Sequence, residues 1–180
     1  ALISLARLKD ANEYTYMHSV SVCALMVATA KAVGLNEAQC KEAGVAGLLH
    51  DIGKMSIPNT IIDKTGPLTD QEFEIIRTHP QRGYSILKEQ QQVTHGVLDV
   101  CLHHHEKIDG SGYPKGLKKE QISTLVRIAS ICDVYDAVTS DRPYKVGWKP
   151  AEALKKMAQW DGHFDNKIFQ IFVKVIGIYP

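Results

Sequence analysis

Apolar positions between Glu13 and Val33, among them Met17, Val20, Leu25 and Ala28, recur every three to five residues, and Gly34 follows where a left-handed C-terminal residue is wanted. The spacing predicts one long first helix. Two later starts carry capping boxes, Asn36 with Gln39 and Thr69 with Glu72, in which a side-chain oxygen and a returning polar group satisfy the free amides of a new helix. Apolar periodicity follows both. Further helices are expected from Asn36 to about Asp51, Thr69 to Thr78, Pro80 to Gln90, Thr94 to His105, Ser123 to Thr139, Pro150 to Trp160 and Asn166 to Ile176. Strand signals are absent. Pro58, Gly66 and Pro67 punctuate one connection, while Asp109, Gly110, Gly112, Pro114 and Gly116 make a second that cannot stay helical. With no internal repeat, low-complexity tract or linker, the expectation is a single all-α domain over residues 1–180.

A chain of 180 residues, 44% apolar and 23% charged, can bury well over half of its unfolded surface, which excludes disorder. Its net charge of +1 gives no general reason to bind duplex nucleic acid or an anionic membrane, so a bound anion must meet a local basic cluster. The apolar run from Val20 to Ala30 stops at Lys31, short of the roughly 18 residues of a membrane span, and no membrane insertion is expected of this segment. Leu2, Ile3, Leu5 and Leu8 follow Ala1 at helical spacing and do not resemble a signal peptide; a fragment of a longer protein with an N-terminal regulatory region is expected. Cys23, Cys40, Cys101 and Cys132 form no CxxC pair, which fits idle free thiols in a reducing, cytoplasmic compartment.

Eight histidines, His18, His50, His79, His95, His103, His104, His105 and His163, fall mostly inside or at the ends of predicted helices. Histidine is a middling helix former and costly to bury unpartnered, so several of them require an explanation, and metal coordination is the leading one. His50 and Asp51 close the apolar run Val45-Ala46-Gly47-Leu48-Leu49, where an uncompensated carboxylate would be expensive. Adjacent helical positions diverge by about 100°, so both serve metal chemistry only if the imidazole holds one ion and the carboxylate reaches across to a second.

The motifs His50-Asp51-Ile52-Gly53-Lys54, Ile57-Pro58, Gly66-Pro67-Leu68-Thr69, His79-Pro80, His104-His105-Glu106, Asp109-Gly110-Ser111-Gly112-Tyr113-Pro114 and Asp141-Arg142-Pro143-Tyr144 together resemble an HD-GYP domain, a subgroup of the HD-superfamily phosphohydrolases associated with cyclic di-GMP turnover. The match runs from about Ala11 to Asp165. The resemblance implies an HD-domain bundle of about seven helices with a GYP loop and a centre of two, sometimes three, divalent metal ions. Iron or manganese is favoured, with zinc, nickel, cobalt and magnesium open. Carried over by motif, the ligands would be His18, His50, Asp51, His79, His104, His105 and Asp133, with Asp51 as the bridge. His79 precedes Pro80, where one helix must end, and Asp133 lies at the edge of the stripe made by Leu125, Ile128 and Cys132. His103 is expected to be exposed or to support the ligands; Glu106 either orients a ligand imidazole or holds the chain end. Three-metal members carry a glutamate four residues before the first histidine; Tyr14 stands there, which points to two metals.

The implied activity is a phosphodiesterase that opens cyclic di-GMP to linear pGpG, with the further step to GMP left open, by attack on phosphorus of a hydroxide shared by two cations. Asp51 and Lys54 would be catalytic, Lys54 contacting the phosphate or assisting proton transfer. Arg142 and Lys145 resemble the family's phosphate-gripping pair, and Gly112, Tyr113 and Pro114 of the loop would pack beside a guanine base or dock diguanylate cyclase domains. The alternatives are another cyclic dinucleotide such as 3′,3′-cGAMP, or a catalytically silent signalling module.

Overall fold

A computed structural model describes residues 13–141 and 146–177. These fold into eight helices of seven residues or more: α1 (Glu13–Val33), α2 (Glu37–Leu49), α4 (Asp70–Ile76), α5 (His79–Lys88), α6 (His95–His103), α7 (Thr124–Thr139), α8 (Pro150–Met157) and α9 (Asn166–Ile176). A four-residue helix, α3 (Asn59–Ile62), and two 3-10 segments, Ile52–Ser56 and Lys119–Gln121, complete the order. The described residues contain no strand, as the periodicity predicts. Local chemistry sets the boundaries. Both predicted capping boxes form, Asn36 with Gln39 and Thr69 with Glu72, and the Thr94 and Ser123 hydroxyls cap α6 and α7.

The differences from expectation cluster around the histidines. Helix α2 stops at Leu49, so His50 and Asp51 lie in the turn that feeds the 3-10 segment, and α6 ends at His103, with the His104 amide making the last ladder bond to the Val100 carbonyl and His105 beyond it. His79 opens α5, with Pro80 in its first turn, rather than closing the helix before it. Proline suits that place because the first turn needs no amide donor from it.

Helix α1 packs on α2, α7 and α9; α2 also meets α6, and α5 lies against the first 3-10 segment. Val22, Met26 and Ala30 of α1, Ala43, Ala46 and Leu49 of α2, Val100 and Cys101 of α6, Ile128 and Cys132 of α7 and Phe172 of α9 are buried in one apolar core. By length and composition alone α1 is long and apolar enough to cross a membrane, a test that the core helix of a folded domain also passes. In this fold α1 carries buried Thr15, His18, Ser19 and Thr29 against its neighbours.

Gly53 fixes how the site is assembled. A Cβ there would overlap the His79 carbonyl and crowd the Gly83 amide, so the 3-10 segment can lie directly against the start of α5 only because residue 53 has no side chain. That contact brings the His50–Asp51 turn to His79.

Candidate metal centre

His18 from α1, the His50–Asp51 turn, His79 at the head of α5, the His104–His105 pair after α6 and Asp133 from α7 converge in the interior; all are buried except His105, which is half-buried. They form two groups whose ligand atoms lie within 4.8 Å of one another: Asp51 with His79, His104 and His105, and His18 with His50 and Asp133. Asp51 faces both. Its Oδ1 is 3.1 Å from His79 Nε2 and 3.8 Å from His104 Nε2, while its Oδ2 is 3.4 Å from His50 Nε2 and 3.8 Å from His18 Nε2. Asp133 Oδ1 sits 3.0 Å from His18 Nε2 and 3.7 Å from His50 Nε2, and its Oδ2 is 3.8 Å from His105 Nδ1.

The outward nitrogens set the tautomers. His50 Nδ1–H donates to the Gly47 carbonyl at 2.8 Å, His79 Nδ1–H to Ile76 at 2.7 Å, and His104 Nδ1–H to Val100 and Cys101, each at 3.1 Å. His18 Nδ1–H donates to Asp136 Oδ2 at 2.6 Å. His50, His79 and His104 therefore turn an Nε2 lone pair inward, the arrangement that outer partners impose on metal-binding imidazoles, while His18 Nε2 faces Asp133 Oδ1 and would have to give up its proton to an ion.

Lone pairs so arranged cannot satisfy one another. His79 Nε2 lies 3.3 Å from His104 Nε2, lone pair towards lone pair, and the buried His50 Nε2 and Asp51 Oδ1 have no hydrogen bond. Orphaned buried acceptors cost roughly 1–3 kcal/mol each. A cation in each group would use all of them, so the donor set, imidazole nitrogen and carboxylate oxygen, fits divalent transition metals.

Charge is distributed to match. Burial opposes ionisation of Asp51, yet Lys54, His50 and His79 hold its carboxyl well below the usual range; Asp133 is likewise held down against burial by His18 and His50. Burial, followed by the neighbouring imidazoles, pushes His104 far below its ordinary value, and burial takes His105 to about 3. His18 goes the other way. Burial would lower it, but the bonds to Asp133 and Asp136 outweigh that and raise it to about 9.

Around this centre the remaining candidates take definite places. Lys54 Nζ donates to Asp51 Oδ2 at 2.5 Å, with its side chain 26% exposed. Glu106, for which two roles were open, accepts from the Lys115 and Leu117 amides at 2.7 and 3.0 Å and so holds the GYP loop. Gly112 belongs to that loop because a Cβ would overlap the main chain of His105, Glu106 and Lys107. Tyr113 turns inward and stacks on His105, centroids 4.7 Å apart and planes 25° from parallel, and the Tyr113–Pro114 peptide is cis. Tyr14 stacks parallel to His18 at 6.3 Å. His103 Nδ1 pairs with Asp99 at 2.8 Å, and Asp99 also accepts from Ser123, tying α6 to the start of α7. His95 is exposed, and His163 stacks between Trp160 and Phe164. Arg142 and Lys145 lie outside the described residues. Two participants were missed from sequence. Asp136 stands three residues after Asp133 on the same helix face, a spacing that could have revealed it; Arg77, over Tyr113 at 4.6 Å, carried no signal.

An all-helical scaffold that gathers histidines and aspartates from α1, α5, α7 and two helix ends around one carboxylate, with donors that could hold metal ions, has the form of an HD domain. A sequence profile described as HD domain matches residues 3–168, and the chain belongs to that family. It is 61% identical over 180 residues to a cyclic di-GMP phosphodiesterase of Pseudomonas aeruginosa, PA4108, covering 100% of this chain and 44% of that protein. It is 39% identical over 159 residues to the cyclic di-GMP phosphodiesterase response regulator RpfG of Xanthomonas campestris, covering 84% of this chain and 41% of the relative. Among solved structures, an HDG"Y"P protein of Bdellovibrio bacteriovorus, Bd1817, shares the fold with a TM-score of 0.75 at 23% identity, over 89% of this chain and 52% of that one. The chain thus spans less than half the length of these two relatives.

Proposed function

We propose that this chain is the single HD-GYP unit of a metal-dependent phosphodiesterase that opens cyclic di-GMP to linear pGpG. The observation that carries the reading is Asp51, whose two carboxylate oxygens face separate histidine groups in an otherwise unsatisfied buried site. The 61% identity to a cyclic di-GMP phosphodiesterase supports the substrate.

His18, His50 and Asp133 would hold one ion and His79, His104 and His105 the other, with Asp51 between them. Iron or manganese suits these ligands. Bound there, divalent cations supply Lewis acidity that acidifies water and neutralises phosphoryl charge. The chain's own residues do the rest. Asp136 fixes the His18 tautomer, and Lys54 orients Asp51 while its partly exposed ammonium meets a substrate phosphate. Arg142 and Lys145 grip the phosphates. Tyr113 is turned onto His105, so docking of diguanylate cyclase domains would fall to exposed Ser111 and Lys115 of the loop.

The test is product chromatography with anaerobically purified protein in manganese or ferrous buffer, offered cyclic di-GMP, 3′,3′-cGAMP and cyclic di-AMP. Cyclic di-GMP should be turned over fastest, giving pGpG, and Asp51→Ala should lose at least about a hundredfold, the upper range for losing even an indirect metal support. Equal turnover by Asp51→Ala, or cyclic di-GMP ranked last, overturns the proposal.

A further inference from the structure

Four of the five imidazoles at the centre have their second ring nitrogen tied, three to main-chain carbonyls and His18 to Asp136. His105 is different. Among the described residues no hydrogen bond to a carbonyl or carboxylate fixes its ring; Nδ1 is 3.8 Å from Asp133, and the side chain is 25% exposed, against 4% or less for the other four. A ring held so loosely would be a poor ligand unless something else restrained it.

His79 and His104 bound it on the inner side, with centroids 5.0 and 4.1 Å away, and on the outer side it meets a layered contact leading to the surface. Tyr113 stacks on His105 with centroids 4.7 Å apart, and the Arg77 guanidinium carbon lies 4.6 Å from the Tyr113 centroid. That is well inside the distance at which a guanidinium is attracted to an aromatic face. Arg77 is in turn steadied by Glu74, whose carboxylate is 3.2 Å from Nη1, and by Phe73, whose ring centroid is 5.9 Å away. It caps the C-terminus of α4 two residues before His79, so one turn of chain sets His79 directly and bears on His105 through Tyr113.

We infer that Arg77 is a positioning residue for the metal half-site of Asp51, His79, His104 and His105: it seats Tyr113, and Tyr113 seats His105. The inference rests on the metal-dependent reading above and deepens it. Removing Arg77 frees the tyrosine ring, widens the range of orientations open to His105 and weakens that half-site. The half-site of His18, His50 and Asp133 meets the stack only at Asp133, 3.8 Å from His105 Nδ1, and touches neither Tyr113 nor Arg77 through a hydrogen bond or ring contact among the described residues.

Metal-free full chain, reloaded anaerobically with Mn2+ and followed by calorimetry and by electron paramagnetic resonance, tests this. Wild type should bind two ions and show a coupled-pair signal. Arg77→Ala should keep the wild-type circular dichroism, bind one ion as before and the second about tenfold more weakly, with the coupled signal reduced to match. Arg77→Lys, which returns a cation above the ring, should recover part of the affinity, and Arg77→Gln, which keeps most of the stem, should not. Unchanged binding of both ions by Arg77→Ala and Arg77→Gln overturns the inference while leaving the metal-dependent reading intact. A raised KM with unchanged ion affinity also overturns it and assigns Arg77 to substrate. A wild-type chain that binds no Mn2+ overturns both.

Discussion

Around Gly112 the main chain of His105, Glu106 and Lys107 occupies the space a methyl group would need, whereas Gly66 has nothing within 4 Å of a built Cβ. The two glycines should therefore answer differently to the same change. Gly112→Ala is expected to cost about 1–3 kcal/mol, as overpacking does. It should also lower turnover by up to about a hundredfold, because a displacement of 1 Å in the supporting loop is enough for that. Gly66→Ala should be close to neutral in both, and parallel denaturant melts and rate assays check the pair. At this scale the seven proposed ligands were legible through their motifs, and the structure brings all seven together. Glu106 was legible as a residue of interest but not in its role, because its partners, the Lys115 and Leu117 amides, are main-chain groups that leave no trace in composition. Arg77 was hidden for a similar reason: its contact with Tyr113 spans 36 positions of chain and depends on how the loop folds back.

Whole helices were more readable, because their starts are written in local chemistry. Asp165 illustrates how much one such residue does. It accepts from the Lys167 and Ile168 amides at 3.0 and 3.1 Å, capping α9, and pairs with Arg127 Nη1 of α7 at 2.7 Å. Asp165→Ala should cost about 1–2 kcal/mol for the cap alone, with more from the lost charge-assisted bond, and Asp165→Asn should restore most of the capping share. A lowered urea midpoint at unchanged slope is the expected signature. The 3-10 segment Ile52–Ser56 and the four-residue α3 escaped prediction because so short a run shows no periodicity, and the placement of the 3-10 segment follows from the tertiary contact between Gly53 and His79. The early ends of α2 at Leu49 and α6 at His103 were equally invisible, since helical propensity continues through residues whose rings are claimed by the site.

Considered as one cooperative unit, the molecule should lose stability in mild acid. Burial takes His163, stacked between Trp160 and Phe164, from its ordinary 6.5 down to about 4, and nearby Lys107 pushes the same way. Between those two values the unfolded chain holds a proton that the folded one does not, so stability rises with pH across that window and falls as pH drops from 6.5 towards 4. Asp165 extends the loss to lower pH. Burial opposes its ionisation, but the Ile168 amide and Arg127 hold it below the ordinary carboxylate value, so its contribution is present above the unfolded pKa and disappears as pH falls through the folded one. Thermal melts of His163→Phe should show a flatter dependence than wild type between pH 6.5 and 4, with the difference vanishing near neutrality; identical slopes would refute the assignment. His163 also accepts from the Ile108 amide through its main-chain carbonyl, a bond that joins this segment to the base of the GYP loop. The single carboxylate of Asp51 has a different global consequence. Because one side chain serves two nests of donors, neither nest is a separate compartment: whatever fills the first pins the oxygen that the second must share. On the metal-dependent reading, filling would then be ordered: the firmer nest takes its ion first, and the oxygen it pins decides how well the second is held.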